Sequence, residues 1–259
     1  MKLARLAVVA IAAAVMLSAG MTHAEIIYLD NFDSGSSGDQ LLGNAPDVRP
    51  GAETWSGTGV FKYDGAGAVY FDHNDARSNH LPLTIEDDLI YTLTARVRNA
   101  RPDTSSDWIA IGWAENDHYA GFNSSSSSAS RGHYWMIWRG STELRAFVGP
   151  ATASSADGGS GTNAPGEGDE LDLRIVLDQL AATPTAYFQY KNPSESQWTE
   201  YASVALNDTL LNNISRVGIS ASSTLTGVSS FELTAVPEPA SWLLLLSALA
   251  CGLLVRRRR

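Results

Sequence analysis

The sequence is almost free of cysteine, because only Cys251 among its 259 residues carries a thiol. Residues 25–235 therefore contain no disulfide and no thiol nucleophile. Their stability has to come from a buried core or from a bound metal. Six tryptophans supply large apolar surface for such a core, at positions Trp55, Trp108, Trp113, Trp135, Trp138 and Trp198.

Basic residues are also scarce. The chain has 18 Lys and Arg against 28 Asp and Glu. Six of the basic residues and one of the acidic residues lie in the first 24 and last 24 positions. Residues 25–235 are thus left with 12 basic and 27 acidic side chains, a net charge of about −15. This balance argues against a nucleic-acid partner, which requires a basic surface. It suits a protein kept soluble outside the cell, and it would also attract Ca²⁺.

The apolar runs near the two ends of the chain are short, and both ends have the composition of targeting segments. Residues 1–24 have a basic start, an apolar stretch and small residues before a predicted signal-peptidase cut between Ala24 and Glu25. The run Trp242–Val255 has 14 uncharged residues, enough for a helix of about 21 Å against a hydrocarbon core of about 30 Å. Four basic residues follow it and should stay on the cytoplasmic side, with the rest of the chain outside: Arg256, Arg257, Arg258 and Arg259.

The apolar run follows a short motif, VPEPAS, at positions 236–241. A motif with Pro237, Glu238 and Pro239, a short apolar span and a terminal arginine cluster resembles the PEP-CTERM sorting signal. The resemblance implies that an exosortase, a membrane-embedded cysteine-dependent enzyme, processes residues 236–259. It predicts export from a Gram-negative bacterium that makes exopolysaccharide. The protein would pass through an inner-membrane intermediate to the cell surface or extracellular matrix. An ordinary C-terminal anchor with an accidental PEP triplet predicts the same orientation.

Residues 25–235 have no long stretch of helical periodicity and divide into about a dozen short apolar or alternating runs. Leu89–Arg98 alternates between apolar and polar residues, which is typical of a half-buried strand. Trp108–Ala114 is apolar on both faces and predicts a central strand. Turn residues predict two hairpins, Val60–Tyr63 with Ala68–Phe71 and Tyr134–Trp138 with Leu144–Val148. The pattern predicts an all-β fold, a two-sheet antiparallel sandwich, flanked by an N-terminal signal helix and a C-terminal hydrophobic helix.

The start of this region adds a second resemblance. A strand ending in DNFD at Asp30–Asp33, a Gly- and Ser-rich loop, LLGNAPD at Leu41–Asp47 and then Thr54–Trp55 resemble the opening of laminin-G-like, concanavalin A-like jelly-roll domains. The resemblance implies that residues 25–235 form one jelly roll. It also implies that the first strand, Ile26–Leu29, pairs with the last, Phe231–Val236, and that the C-terminus therefore leaves from a sheet edge.

Jelly rolls of this kind include glycan hydrolases, which would require a catalytic pair of carboxylates. Retaining glycosidases use two carboxylates about 5 Å apart. Laminarinase-type hydrolases of this fold carry the pattern E-x-D-x-E or E-x-D-x-x-E on one strand. The nearest match here places Glu170 and Asp172 on one face of a strand, but Arg174 and Ile175 occupy the two positions where the second glutamate would stand. Serine-nucleophile and zinc-binding motifs are missing as well. We therefore predict no catalytic residue and no enzymatic activity. A hydrolase that uses Glu170 and Asp172 is the alternative.

Two sets of residues remain as candidates for binding. Asp30, Asp33 and Asp39 lie in one polar loop, where they would either bind Ca²⁺ or form a solvated turn. Aromatic residues fall on or beside two predicted central strands, and Trp113, Tyr134 and Trp138 are the candidates for stacking against sugar rings. Alternation places Trp135 on the opposite face of its strand from Tyr134 and Trp138, so one set should belong to the core.

The leading hypothesis is a non-catalytic exported β-sandwich that binds polysaccharide or serves as a surface or matrix component. Its partners would be signal peptidase and exosortase during export, and a polysaccharide afterwards. A glycan hydrolase and a purely structural or adhesion protein are the alternatives.

Overall fold

The computed structural model describes residues 24–58, 60–73, 75–99, 107–115, 132–139, 143–149, 170–222, 224 and 226–237. These residues form fourteen strands and one short helix. In chain order the elements are β1 (Glu25–Asp30), β2 (Ser56–Gly57), β3 (Phe61–Tyr63), β4 (Val69–Phe71), β5 (Arg77–Pro82), β6 (Leu89–Asn99), β7 (Trp108–Ala114), β8 (Gly132–Arg139), β9 (Glu143–Val148), β10 (Glu170–Asp178), β11 (Thr185–Lys191), β12 (Thr199–Ala205), α1 (Asp208–Asn212), β13 (Arg216–Ala221) and β14 (Thr226–Pro237).

The strands form two antiparallel sheets. The eight-stranded sheet has the order β12-β11-β10-β6-β14-β4-β3, and β1 also pairs with β14. The six-stranded sheet has the order β2-β5-β13-β7-β8-β9. This arrangement confirms the all-β jelly-roll sandwich. The predicted signal helix and the predicted C-terminal helix, Trp242–Val255, lie outside the described residues. Of the two predicted targeting segments, residues 1–24 and 236–259, only Ala24, Val236 and Pro237 are described.

Alternation decides which face of each strand enters the core. Every second residue is buried from Tyr91 to Asn99 on β6 and from Leu171 to Leu177 on β10, and of the residues between them only Asp172 is buried. Each large aliphatic side chain buried in this way contributes about 1.5–3 kcal/mol relative to exposure. The two sheets therefore face each other across one large apolar core, to which β1 and β3 to β14 all contribute.

Both predicted hairpins are present. Strand β3 pairs with β4, and β8 pairs with β9. The first turn is held by Asp64, whose Oδ1 accepts hydrogen bonds from the backbone N–H groups of Ala66 (2.7 Å) and Ala68 (3.1 Å). Gly65 and Gly67 adopt positive φ angles there, which side chains disfavour. Strand β7 is an interior strand of its sheet, as its apolar composition predicts.

The first and last strands pair as expected, but the predicted sheet edge is wrong. Glu25 lies opposite Ala235 in the β1–β14 ladder. The other side of β14 pairs with β6 along its whole length, ending with Pro237 opposite Leu89. Because β14 has neighbours on both sides, the chain reaches its C-terminal segment from an interior strand.

Candidate functional site

The predicted sugar-stacking residues are core residues. Trp113 and Tyr134 have no exposed surface and Trp138 has 1 %. Trp113 lies opposite Tyr134 on the inner faces of β7 and β8, and the Tyr134 hydroxyl accepts a 2.8 Å hydrogen bond from the Asn207 N–H, beside helix α1. A ring with no exposed face cannot stack on a sugar. The assignment of these three residues to ligand binding is therefore wrong.

The opposite face of the same strands carries a second set of rings. Trp108, Trp135 and Ile137 form a separate apolar cluster on the outer face of the six-stranded sheet, with Phe147 of β9 packed against it. The Trp135 and Phe147 rings are stacked, with centroids 4.0 Å apart and planes 12° apart. We call these four residues the outer aromatic cluster. Trp135 is almost fully buried, so the accessible ring surface of the pair belongs to Phe147.

The outer aromatic cluster borders a strip without large side chains. The strand register places one row across the sheet in the order Ser56, His80, Gly218, Gly112, Trp135 and Phe147. The two adjacent glycines separate His80 from Trp135 in this row, at a spacing of about 5 Å per strand, and all four residues are buried. A Cβ atom at Gly112 would approach the Tyr134 carbonyl oxygen to 2.5 Å, so the position requires glycine.

Polar groups lie at the ends of this face. The ring of His133 is buried, and its Nε2 lies 3.9 Å from Oε2 of Glu115. Burial lowers the pKa of His133, and the Glu115 charge opposes that change. At the other end, Arg145 Nε donates a 2.6 Å hydrogen bond to Glu143 Oε1. The second carboxylate oxygen, Glu143 Oε2, lies 3.8 Å from Arg139 Nε. This face therefore combines apolar rings with charged groups at its rim.

The two carboxylates of the alternative hydrolase lie elsewhere. Glu170 and Asp172 are on β10, on the outer face of the eight-stranded sheet. Asp172 forms a bidentate ion pair with Arg96, with Nε–Oδ1 and Nη2–Oδ2 distances of 2.7 and 3.1 Å. Lys191 Nζ is 3.7 Å from the same carboxylate. Two cations thus hold Asp172 in place, which gives it a structural role in this sheet.

The three aspartates of the proposed calcium site are divided between core and solvent. Asp30 is fully buried, and its two oxygens accept hydrogen bonds from Trp55 Nε1 (2.7 Å) and the Phe32 N–H (2.8 Å). Asp33 and Asp39 are exposed, and Asp39 caps the Ser36 N–H. Calcium binds six to eight oxygens, which this set does not bring together. The described part of the chain contains no group of three or more His, Cys, Asp or Glu side chains that could hold a metal ion.

The sorting residues stand at the end of the domain. Pro237 is the last residue of β14, whereas Glu238, Pro239 and the four terminal arginines lie outside the described residues. Within the described ranges no helix is long and apolar enough to cross a membrane.

Comparison with known proteins assigns the C-terminal segment. Residues 235–259 match the PEP-CTERM protein-sorting motif. The chain carries a PEP-CTERM sorting tail. The motif implies export and processing by an exosortase, with a membrane-anchored intermediate, and it covers about a tenth of the sequence. No curated protein matches the chain in sequence.

Solved structures resemble the domain that precedes the PEP-CTERM tail. The endo-1,3-β-glucanase from Streptomyces sioyaensis is 12 % identical, with a TM-score of 0.52 over 84 % of this chain and 98 % of that one. Lectin II from Ulex europaeus is 12 % identical, with a TM-score of 0.50 over 71 % and 92 %. The Ca²⁺/Man2-bound exoplasmic/lumenal domain of VIP36 is 10 % identical, with a TM-score of 0.50 over 80 % and 88 %. At these identities the likeness establishes the fold, a concanavalin A-like jelly roll.

Proposed function

We propose that this PEP-CTERM protein is a non-catalytic polysaccharide-binding component of the cell surface or extracellular matrix. The observation that carries the proposal is the Trp135–Phe147 stack on the outer face of the six-stranded sheet, in which the Phe147 ring is half-buried. Flat rings bind the apolar faces of pyranoses, and the half-buried Phe147 ring is the member of the stack that a sugar can reach. The charged residues Arg139, Glu143 and Arg145 supply hydrogen-bonding groups at the rim.

The solved neighbours support the ligand class. Two of them are a lectin and a domain crystallised with Man2, and a third is a glucanase. The carboxylates nearest in pattern to a glucanase pair, Glu170 and Asp172, lie on the other sheet, away from the outer aromatic cluster. Asp172 is also committed to Arg96 and Lys191. Binding without hydrolysis is therefore the activity that this geometry favours.

The test of ligand binding uses the full chain in neutral detergent and a panel of neutral polysaccharides that includes a β-1,3-glucan and a mannan. Phe147→Ala removes the accessible ring of the stack and should weaken binding about tenfold, within the range of one aromatic contact. Tyr70→Ala is the matched control, because Tyr70 is a half-exposed ring on the outer face of the other sheet. Equal binding by the Phe147→Ala variant and the parent would refute the assignment of this face.

The same assay separates the alternatives. A hydrolase releases reducing ends from a bound polymer, and that result would overturn the non-catalytic proposal. A Glu170→Gln variant then tests whether Glu170 contributes. A purely structural or adhesion protein binds no polysaccharide in the panel, and its Phe147→Ala variant changes nothing.

The proposed location follows from the sorting tail. Mass spectrometry of the protein from its native envelope should find a new C-terminus near Pro237–Ala240, with Arg256–Arg259 removed. A mature N-terminus at Glu25 should accompany it. Recovery of the full-length chain from the membrane fraction would instead indicate a retained anchor.

A further inference from the structure

One aromatic ring and two cationic side chains form a cluster on the outer face of the eight-stranded sheet. The guanidinium carbon of Arg174 is 4.2 Å from the centroid of the Trp198 ring, and Lys191 Nζ is 5.1 Å from it. Arg174 Nε also donates a 2.6 Å hydrogen bond to Gln189 Oε1, directly across the β10–β11 ladder. We call Arg174, Gln189, Lys191 and Trp198 the Trp198 cluster. Its members are partly exposed, so a ligand can reach them.

Arg174 has no neutralising partner within the described ranges. No carboxylate there forms a salt bridge with it, and Nε is its one guanidinium nitrogen with a hydrogen bond. The nearby Asp172 is already shared by Arg96 and Lys191. Burial accordingly lowers the pKa of Arg174, with no acidic neighbour to oppose the change. An uncompensated cation is unusual in a domain that carries about −15 net charge.

The loop that carries Trp198 is held in place before any ligand binds. The backbone N–H and the side-chain amide of Asn192 both donate to the Glu195 carboxylate, at 3.0 and 3.2 Å. Lys191 Nζ donates to the Glu195 carbonyl oxygen at 3.2 Å. These contacts hold Lys191 against the loop, and the hydrogen bond to Gln189 holds Arg174 on the neighbouring strand. A binding site organised in this way loses little entropy when a ligand arrives.

We propose that the Trp198 cluster is a binding site for the carboxylate of an acidic sugar, such as a uronic acid in an acidic polysaccharide. The two terminal nitrogens of Arg174 would take the carboxylate in a bidentate pair, and Lys191 Nζ would contact it from the adjacent strand. Trp198 holds both cations and presents apolar surface beside them to the sugar ring. One uncompensated guanidinium matches one monovalent carboxylate. The site lies on the opposite sheet from the outer aromatic cluster and does not depend on it.

The test measures binding of polygalacturonate to the full chain in neutral detergent by calorimetry at low ionic strength. Fully methyl-esterified polygalacturonate is the matched uncharged polymer. The parent protein should bind the acid and not the ester, and 0.5 M NaCl should abolish binding. Arg174→Gln keeps a polar side chain and removes the charge, and it should weaken binding about tenfold or more.

Two controls make the result specific. Arg49→Gln makes the same charge change at an exposed arginine that contacts backbone carbonyls of its own loop, and it should leave affinity unchanged. Trp198→Phe should retain part of the binding, whereas Trp198→Ala should lose it. Thermal unfolding of each variant excludes misfolding as the cause.

Three outcomes would overturn the proposal. They are equal binding by Arg174→Gln and the parent, equal binding of acid and ester, and Arg174-dependent binding of dextran sulfate that is tighter than that of polygalacturonate. The last result would assign the site to sulfate esters. Phe147→Ala should not change polygalacturonate affinity, so failure here and failure of the neutral-polysaccharide site are distinguishable.

Discussion

Trp55 donates its indole N–H to the buried carboxylate of Asp30 over 2.7 Å. The Trp55 ring also packs edge-on against Phe231 of β14, with centroids 5.1 Å apart. The bond therefore joins the end of the first strand to the core beside the last one. Burial raises the pKa of Asp30 to about 6, and the hydrogen bonds from Trp55 and Phe32 only partly offset the cost of the buried charge.

The raised pKa of Asp30 predicts a loss of stability with rising pH. The folded protein holds this proton up to about pH 6, whereas an unfolded aspartate releases it near 3.8. The folded state therefore binds more protons between these values, and the free energy of unfolding falls as pH rises through this window. The contribution is of order 3 kcal/mol. Urea unfolding at pH 4, 5, 6 and 7 measures it.

Asp30→Asn provides the comparison for that measurement. The amide keeps an oxygen acceptor but cannot ionise, so the difference in unfolding free energy between the parent and the variant should shift in favour of Asn as pH rises from 4 to 7. Parallel pH profiles for the two proteins would contradict the raised pKa.

Truncation of the buried ring of Trp138 should lower stability strongly. Trp138→Ala should cost about 3–5 kcal/mol, the range for large core aromatics. Tyr134→Phe removes only the hydroxyl that accepts from Asn207 and should cost about 1 kcal/mol. Denaturant unfolding gives both values. Neither variant that stays folded should lose polysaccharide affinity, and a selective loss of affinity in a stable Tyr134→Phe protein would restore these residues to the ligand site.

A methyl group at Gly112 should destabilise the six-stranded sheet. The added Cβ would lie 2.5 Å from both the Tyr134 carbonyl oxygen and the Trp135 Cβ, so β8 has to move. We expect Gly112→Ala to cost about 1–3 kcal/mol. Gly51→Ala is the control, because its nearest neighbour is the flexible end of Glu53. Equal thermal stability of the two variants would mean that β7 and β8 do not approach as closely as described.

The Arg96–Asp172 pair should show measurable coupling. A double-mutant cycle with Arg96→Gln and Asp172→Asn should give a coupling free energy of about 1 kcal/mol. This is at the lower end for a bidentate pair, because the Arg96 side chain is 38 % exposed. Asp172→Asn should lower the free energy of unfolding more than Arg96→Gln does, because it also leaves Lys191 and Arg96 side by side without the carboxylate that they share. Raising NaCl to 1 M should shrink the coupling, and an unchanged value would rule out an electrostatic origin.

The elements that could be predicted were those with contrast between their two faces. Leu89–Arg98 and Glu170–Asp178 alternate apolar and polar residues, and turn residues mark the β3–β4 hairpin. Strand β5 was missed because Arg77–Pro82 is mostly polar yet four of its six residues are buried. Helix α1 was missed because five residues are too few to show a helical period.

The residues of the candidate site could be identified only from the fold. Both faces of β7 and β8 are apolar, so alternation separates Tyr134 and Trp138 from Trp135 without indicating which set faces the core. Trp198 and Arg174 are distant in sequence and meet only because β11 and the loop after it fold back beside β10. A charge repeat on β10 predicts a polar face, but it does not identify which cation lacks a partner.

The sequence by itself determined the sorting tail, the all-β class and the acidic surface, because each depends on the order or composition of residues along the chain. Only the tertiary structure decided that Asp30 is buried, that Trp113 belongs to the core and that Arg174 stands over Trp198. Those properties depend on which strands become neighbours, and pairing energy is gained across segments far apart in the chain.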